Sequence, residues 1–430
     1  MEKQRLIVQG SLREFQNDGD NLDRYYLPAR GLTLPGNLHL LPENDLLLTY
    51  AFQLNQVIDF INQNPRNILT IPDSNYLLDL AILQEINLLK NKLNINYPYR
   101  VYPYAVTDET IMWVEELKRS GFNIEAAFPK KTYFDDLYHP AHRGGWGRWV
   151  NNPEKTSFAE ENKLPYPISW IGQGEKQIIE AYQRVCNSSG RKEAFFKPIF
   201  SAGGFTLTKI SSIEELTKHY KKLKNQGVLD FDGQEIPVEI QEYIPNILEL
   251  YSFQYDENGN LLTPQGLSKQ IIRNNQWQGN FFNEFLVPSE IEEIWKKFRR
   301  GYKQYLSNNN FGWGGIDLAR TSNGQWIILE HNGLRITGAH PAIFLAYQLE
   351  VINQPFMTLK SPEEVKSDLT TIWNLLKSEG LSFNPYTRTG IFPIVWFPGS
   401  GMLFATGENP QQLLDRAYDL FAQNNYIKTS

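Results

Sequence analysis

The sequence predicts a multidomain protein of the α/β class, on three observations. Strand-type and helix-type patterns alternate along residues 1–150, which implies a mostly parallel sheet. The chain has 430 residues, enough for about three domains at ~150 residues each. Hydrophobic residues make up 41% and charged residues 21%, the balance of a globular protein with large cores.

Composition excludes several classes. No run approaches the ~18 apolar residues of a membrane helix, and the opening Met-Glu-Lys-Gln-Arg leads into no signal-type apolar segment. The single cysteine, Cys186, cannot form an intramolecular disulfide, so a reducing cytoplasmic setting is expected. A formal net charge of −6 argues against sequence-independent binding to nucleic acid, which needs a basic surface.

The elements follow in order. Short β-type runs fall at residues 5–8, 45–50, 67–71 and 100–105, with helical patterns at 54–63, 76–92 and 108–120. The unit has no GxGxxG, so no nucleotide site is expected in it. It ends in HPAHRGGWGRWVNNPEK (residues 139–155), with two His, two Arg and two Trp among its glycines. Two readings stand: a flexible linker, or a loop in which Arg143 or Arg148 grips a substrate carboxylate bidentately. His139 and His142 are too weak a pattern for a metal. Next comes Lys155, then a Leu164-Pro-Tyr-Pro167 lead into a strand. The run Ala194–Pro198 is a strand ending in Lys197-Pro198, before a loop carrying Gly203 and Gly204. A lysine at a strand end beside such a loop sets an ammonium and backbone N–H groups against phosphates. There is no P-loop motif.

Residues 312–335, GWGGIDLARTSNGQWIILEHNGLR, carry most of the functional signal. Asn323-Gly324 between two apolar runs is a hairpin turn. Side chains alternate along a strand, so Glu330 and Asn332 share a face while His331 points away. If Asp317 faces the same way, two carboxylates and an amide oxygen converge, a set suited to Mg²⁺ completed by phosphate and water. The plain alternative is a solvated hairpin. Residues 351–430 show a helix at 361–379, a Gly/Pro-rich hairpin at 390–407 and a helix at 409–423 with Pro410 in its first turn. They carry no reactive constellation.

The 312–335 hairpin resembles the metal-binding hairpin of the ATP-grasp ligases, and in wording the D-alanine–D-alanine ligase branch: aromatic-Gly-x-Ile-Asp, Asn-Gly-Gln, apolar-Leu-Glu-x-Asn. The resemblance covers about residues 150–350 and implies an ATP-grasp fold, in α/β (α+β) form. Residues 1–150 would be the Rossmann-like preceding domain, 151–350 the ATP-grasp domain, and 351–430 a C-terminal α/β lid or cap. It further implies that Asp317, Glu330 and Asn332 hold Mg²⁺, two ions, with Mn²⁺ an acceptable substitute. Lys155 and Lys197, with Gly203 and Gly204, would meet the phosphates of ATP. The segment 238–249 would run along adenine: backbone of Glu242 and Ile244 at the base edge, Gln241 where the family often has Glu, Glu249 on the ribose. Lys269 and Arg335 would be the catalytic cations, and Arg273 is a weaker candidate.

The chain departs from the pattern at three places. Lys155 is separated from its asparagine by two extra residues, Glu249 falls one residue late, and Gly315 stands where the D-alanine–D-alanine ligases carry an arginine. Arg335, three residues beyond Asn332, is the replacement, and nearby His340 is read equally as a helix-entry residue.

The implied activity is ATP-dependent joining of a small carboxylate to an amine through an acyl phosphate, with an amino acid or peptide among the substrates, in a monomer or homodimer. A small-molecule kinase of the same superfamily and a nucleotide-binding module without catalysis are the alternatives. The first would want a basic pocket; the second has no need of all three metal ligands.

Overall fold

The computed structural model describes residues 4–8, 46–50, 68–71, 98–103, 106, 108–128, 137–141, 143–199, 207–231, 234–263, 266–273, 276–283, 288–306, 311–362, 364–397 and 399–428. The helical patterns expected at 54–63 and 76–92 lie outside these residues. In the first unit, β1 (Gln4–Val8), β2 (Leu46–Tyr50), β3 (Ile68–Ile71), β4 (Tyr99–Pro103) and β5 (Ile124–Ala126) form one sheet in the order β3-β2-β1-β4-β5. Every pair in it is parallel. The helix α1 (Asp108–Arg119) links β4 to β5, as a parallel crossover requires. The strand expectations for this unit hold to within a residue or two at each end.

A second sheet, in the order β6-β7-β12-β8-β9, forms one wall of a cleft. It is built from β6 (Arg148–Trp149), β7 (Ser169–Gly172), β8 (Ala194–Pro198), β9 (Thr208–Ile210) and β12 (Val238–Glu242). A short hairpin, β10 (Asp230–Phe231) and β11 (Gln234–Glu235), stands apart from it. Helices α2 (Phe158–Glu161), α3 (Gly174–Ser189) and α4 (Ile213–Asn225) complete the unit. Ser157 and Glu160 form a capping box at α2, and Ser212 caps α4. One face of the sheet carries Phe196, Val238 and Ile240 against Ile178, Val185, Leu216 and Tyr220 of the helices. The other face is therefore free to carry polar groups into the cleft.

The third sheet has eight strands, β17-β16-β13-β14-β15-β18-β20-β19. These are β13 (Ile247–Tyr255), β14 (Ser268–Arg273), β15 (Gln276–Phe282), β16 (Gly314–Thr321), β17 (Trp326–Asn332), β18 (Phe356–Lys360), β19 (Gly390–Phe397) and β20 (Ser400–Thr406). The helix α5 (Ser289–Tyr305) buries Ile291, Ile294, Trp295, Phe298 and Tyr302, a stripe at helical spacing, against Phe253, Ile316 and Ile328. At about 1.5–3 kcal/mol for each large side chain buried, this stripe is a main support of the hairpin. Helices α6 (His340–Gln348), α7 (Leu369–Ser378) and α8 (Pro410–Gln423) pack farther along the sheet. The C-terminal cap is thus no separate layer: β18, β19 and β20 extend the sheet that carries the hairpin. No helix among the described residues is long and apolar enough to cross a membrane.

Candidate active site

Strands β16 and β17 form the expected hairpin, with Gly324 in the turn at φ +81°, a conformation glycine adopts without strain. Asp317 pairs directly with Glu330, and Gly315 with Asn332, so all three polar groups share one face. A bulge makes this register: the pairing slips between Asp317–Glu330 and Leu318–Ile328, leaving Leu329 over. His331 points the other way into an aromatic cluster and is bonded to the Tyr255 hydroxyl at 2.6 Å and to the Pro140 carbonyl.

The carboxylates are densely bonded. Asp317 accepts from Gln270 Nε2 at 2.7 Å and from Asn332 Nδ2 at 3.0 Å. Glu330 Oε1 accepts from Arg143 at 2.9 Å and lies 3.5 Å from Arg335. Arg335 also donates to the Asn332 side-chain oxygen. Burial, then the neighbouring Glu330 charge, pushes the Asp317 carboxyl up to about 7. Burial acts on Glu330 in the same direction, but Arg143, Arg335 and Lys197 outweigh it and hold Glu330 below its usual range. Two carboxylates whose repulsion is relieved on only one partner make a set that a divalent cation would complete. Among the described residues no three His, Cys, Asp or Glu side chains converge, so an ion here would draw its other ligands from amide, water or a bound anion.

The spacing of Arg335 is explained by Leu334, which takes up the extra residue in a left-handed turn at φ +56° while buried. Such a conformation costs about 1–3 kcal/mol and persists where its surroundings fix it. Here the N–H of Val106, from the first unit, binds the Leu334 carbonyl at 2.9 Å. Gly315 has no room for an arginine: a Cβ there would meet the Thr337 methyl at 2.9 Å and the Phe253 carbonyl at 3.1 Å.

The loop at residues 139–149 is an ordered brace, and the linker reading is corrected on that point. Trp146 is buried and donates to the Pro140 carbonyl at 2.8 Å; Trp149 donates to that of Gly144 at 2.8 Å. Gly333 N–H binds the Ala141 carbonyl at 3.1 Å, which ties the loop to the hairpin. Arg143, 8% exposed, donates to the Pro198 carbonyl at 2.7 Å as well as to Glu330. It therefore bridges the end of β8, one residue beyond Lys197, to the metal-type hairpin. Arg148 pairs with Glu160 instead, and Arg273 is exposed at the end of β14. His139 Nδ1 accepts from Ala141 N–H within the loop, and His142 lies outside the described residues.

Of the other expected residues, Lys197 is buried on β8 and donates to Gln241 Oε1 at 2.5 Å. Gly203 and Gly204 lie outside the described residues. Ile244 follows β12 with no hydrogen bond from its backbone N–H to another of the described residues, whereas the Glu242 N–H is engaged by the Ile168 carbonyl at 2.8 Å. The late position of Glu249 is absorbed by a second bulge: pairing slips between Ile247 and Glu249, and Leu248 is left over and exposed. Glu249 accepts from Lys269 at 2.7 Å and from Tyr251 at 2.8 Å, and these contacts lower its pKa.

Three candidates lie apart from the hairpin's carboxylates. Lys269 pairs with Glu249, away from the hairpin face, because alternation along β14 gives Gln270 the side facing Asp317. Lys155 is exposed, its ammonium 3.6 Å from the centre of the Tyr138 ring, and has no partner in the carboxylate cluster. His340 is a packing residue: it is fully buried, its Nδ1 accepts from Thr337 N–H at 3.0 Å, and burial drives its pKa down to about 3. The sequence reading missed Gln270, whose only signal was its parity with Ser268 on β14. It also missed Glu239, a buried acid on β12.

No protein-family model matches the chain, and no curated protein matches its sequence. Solved structures match its shape. The biotin carboxylase domain of Hydrogenobacter thermophilus 2-oxoglutarate carboxylase, in complex with MgADP, ADP and bicarbonate, aligns with a TM-score of 0.58 at 15% identity, over 100% of this chain and 91% of that one. Campylobacter jejuni biotin carboxylase, as a β,γ-ATP complex, gives 0.57 at 12% identity over 99% and 98%. Carboxyaminoimidazole ribonucleotide synthase of Aspergillus clavatus, complexed with ATP, gives 0.55 at 11% identity over 97% and 99%. The chain has the ATP-grasp fold. Arg143 joins the second sheet to the third, donating to the Pro198 carbonyl beside Lys197 and to Glu330.

Proposed function

We propose that the chain is an ATP-dependent ligase that activates a small carboxylate by phosphorylation and joins it to an amine, releasing ADP and phosphate. The observation that carries this reading is the convergence of Asp317, Glu330 and Asn332 with Arg335 and Arg143, of which Arg143 also donates to the carbonyl of Pro198, the residue after Lys197. Asp317, Glu330 and Asn332 are the residues that would hold Mg²⁺, which when bound supplies positive charge at the phosphates. Lys197 contributes an ammonium to the α/β-phosphates, and Ile244 N–H with the Glu242 carbonyl offers a donor–acceptor edge to the base. Glu249, its charge held by Lys269 and Tyr251, is the acid this reading gives to the ribose. Arg335 is positioned for the charge that develops on the transferring group, for which a planar guanidinium is suited. The brace at residues 139–149 holds Arg143 where it keeps Glu330 ionised.

The solved neighbours support the reading as ATP- and ADP-bound ligases and carboxylases, and the bicarbonate in one of them makes bicarbonate a candidate acid beside amino acids and peptides. Amide formation with an amino acid or peptide remains our finer proposal, for a cytoplasmic enzyme. The test is ADP and phosphate release by the purified chain, screened over amino acids, short peptides, carrier-bound acids and bicarbonate, each with and without an amine. Release that requires both an acid and an amine supports the ligase. Transfer of phosphate to an alcohol without an amine would select a kinase, and ATP binding without turnover under any pairing would select a binding module.

A further inference from the structure

Glu239 lies on β12 with its Cα opposite Lys197 of β8, and it is fully buried at 0% exposure. A carboxylate in that position is costly unless its oxygens are bonded and its charge is matched. The bonding is partial. Oε1 accepts from the Tyr166 hydroxyl at 2.7 Å and, at 3.5 Å, from Gln241 Nε2, while Oε2 has no hydrogen-bond partner among the described residues. Residues 239 and 241 alternate with Val238 and Ile240, which enter the core on the helix side, so both acid and amide face the cleft. There the Lys197 ammonium donates to Gln241 Oε1. An amide oxygen offers that ammonium a dipole but no charge.

We infer that Glu239 supplies the counter-charge that holds the Lys197 ammonium in place, making it a positioning residue for the phosphate end of the cleft. The inference rests on the nucleotide reading given above. Burial lowers the pKa of Lys197, and Glu239 is the strongest charge raising it again, ahead of Glu330 and Asp317, while Arg143 opposes it. Tyr166 is kept protonated, by burial first and then by the Glu239 charge, so it remains a donor to Oε1. The resulting relay runs from Tyr166 to Glu239, from Gln241 to Glu239, and from Lys197 to Gln241. It fixes an ammonium deep in the wall, with its charge balanced before any phosphate arrives.

Because Gln241 already touches Nζ, the charge can be moved two residues along the strand. The experiment is calorimetric binding of ATP with Mg²⁺ to the full chain, with the thermal midpoint measured in parallel. Glu239→Gln is expected to weaken ATP about tenfold to a hundredfold, the range for losing one charged hydrogen-bonded contact. Glu239→Gln combined with Gln241→Glu should return the affinity to within about threefold of the unmodified chain, since the two changes are coupled through one ammonium. In a Lys197→Ala background, Glu239→Gln should add no further loss. ATP affinity unchanged in folded Glu239→Gln overturns the inference. So does a folded exchange variant that stays weak, because a packing role would not be rescued by charge at 241. If Glu239→Gln alone does not fold, the exchange variant decides by the same criterion. If neither folds, Glu239 serves the fold rather than Lys197 and the inference fails. An unmodified chain that binds no ATP sinks the nucleotide reading itself, and this inference with it.

Discussion

At the hairpin end of the cleft, five polar side chains are locked together: Asp317, Glu330, Asn332, Arg143 and Arg335, with the Arg143–Glu330 pair only 10% and 20% exposed. At the hinge between β12 and β13, Glu249 and Lys269 form a single ion pair that is 29% and 47% exposed. Both ends use a bulge to aim a glutamate, yet they differ in what removing a charge would do. In the buried cluster Glu330 depends on the two guanidiniums, so a lost member leaves its partner uncompensated and out of reach of water. At the hinge, solvent takes over whatever a partner gave up. The two regions therefore differ in how strongly they depend on each charge, and the mutational effects should fall in that order.

The largest effect is expected for Glu330→Ala and Asp317→Ala, each lowering ATP turnover by roughly 10³-fold, the upper range for one preorganised electrostatic contact. Steady-state ADP release at ordinary Mg²⁺ reads this out, and variants that keep the unmodified rate would remove the hairpin from the active site. Since Glu330 is partly buried between two guanidiniums, a thermal midpoint should be recorded beside it. Next is Arg335→Lys, which keeps the charge and loses the planar fork. It should leave ATP binding intact and raise the barrier to product by about 2–4 kcal/mol. Single-turnover product formation at saturating ATP checks this, and an unaltered rate would shift the role to Arg143. Lys197→Ala should follow, weakening calorimetric ATP binding by about tenfold to a hundredfold, with a lowered thermal midpoint because the buried Glu239 loses its matching charge. If binding is unchanged, the phosphate wall lies elsewhere and the two-ended description fails.

The smallest effect belongs to the hinge. Lys269→Ala should change turnover by no more than about threefold, with a nucleotide affinity that becomes less sensitive to salt, as for an exposed ion pair. A loss as large as that of Arg335→Lys would restore Lys269 to the catalytic set, against its pairing with Glu249. Glu249→Gln is expected to fall between these two, because Lys269 and Tyr251 together hold its charge.

The hairpin and the shared face of Asp317, Glu330 and Asn332 were legible in the sequence because their signals are local. Asn323-Gly324 sets the turn, and period-two alternation puts Glu330 and Asn332 on one side. The parallel strands of the first unit were readable for the same reason, as were Lys197 before its glycines and helix α8 behind Asn409-Pro410. Lys269 was misplaced because a single shift of parity on β14 separates it from Gln270, and only pairing with β13 and β16 fixes which residue faces Asp317. The bulges at Leu248 and Leu329, the left-handed Leu334 and the steric closure around Gly315 all depend on neighbouring strands. So does the 139–149 brace. Its composition reads as a linker, and its order comes from Pro140, Ala141 and Arg143 meeting a hairpin almost two hundred residues away in the chain. The sequence by itself determined which chemical groups the protein has and which strands carry them, since propensity and alternation act over a few residues. Only the tertiary structure decided which charges are partnered: burial and register bring Arg143 to Glu330 and Glu239 beside Lys197, and neither can be read from spacing along the chain.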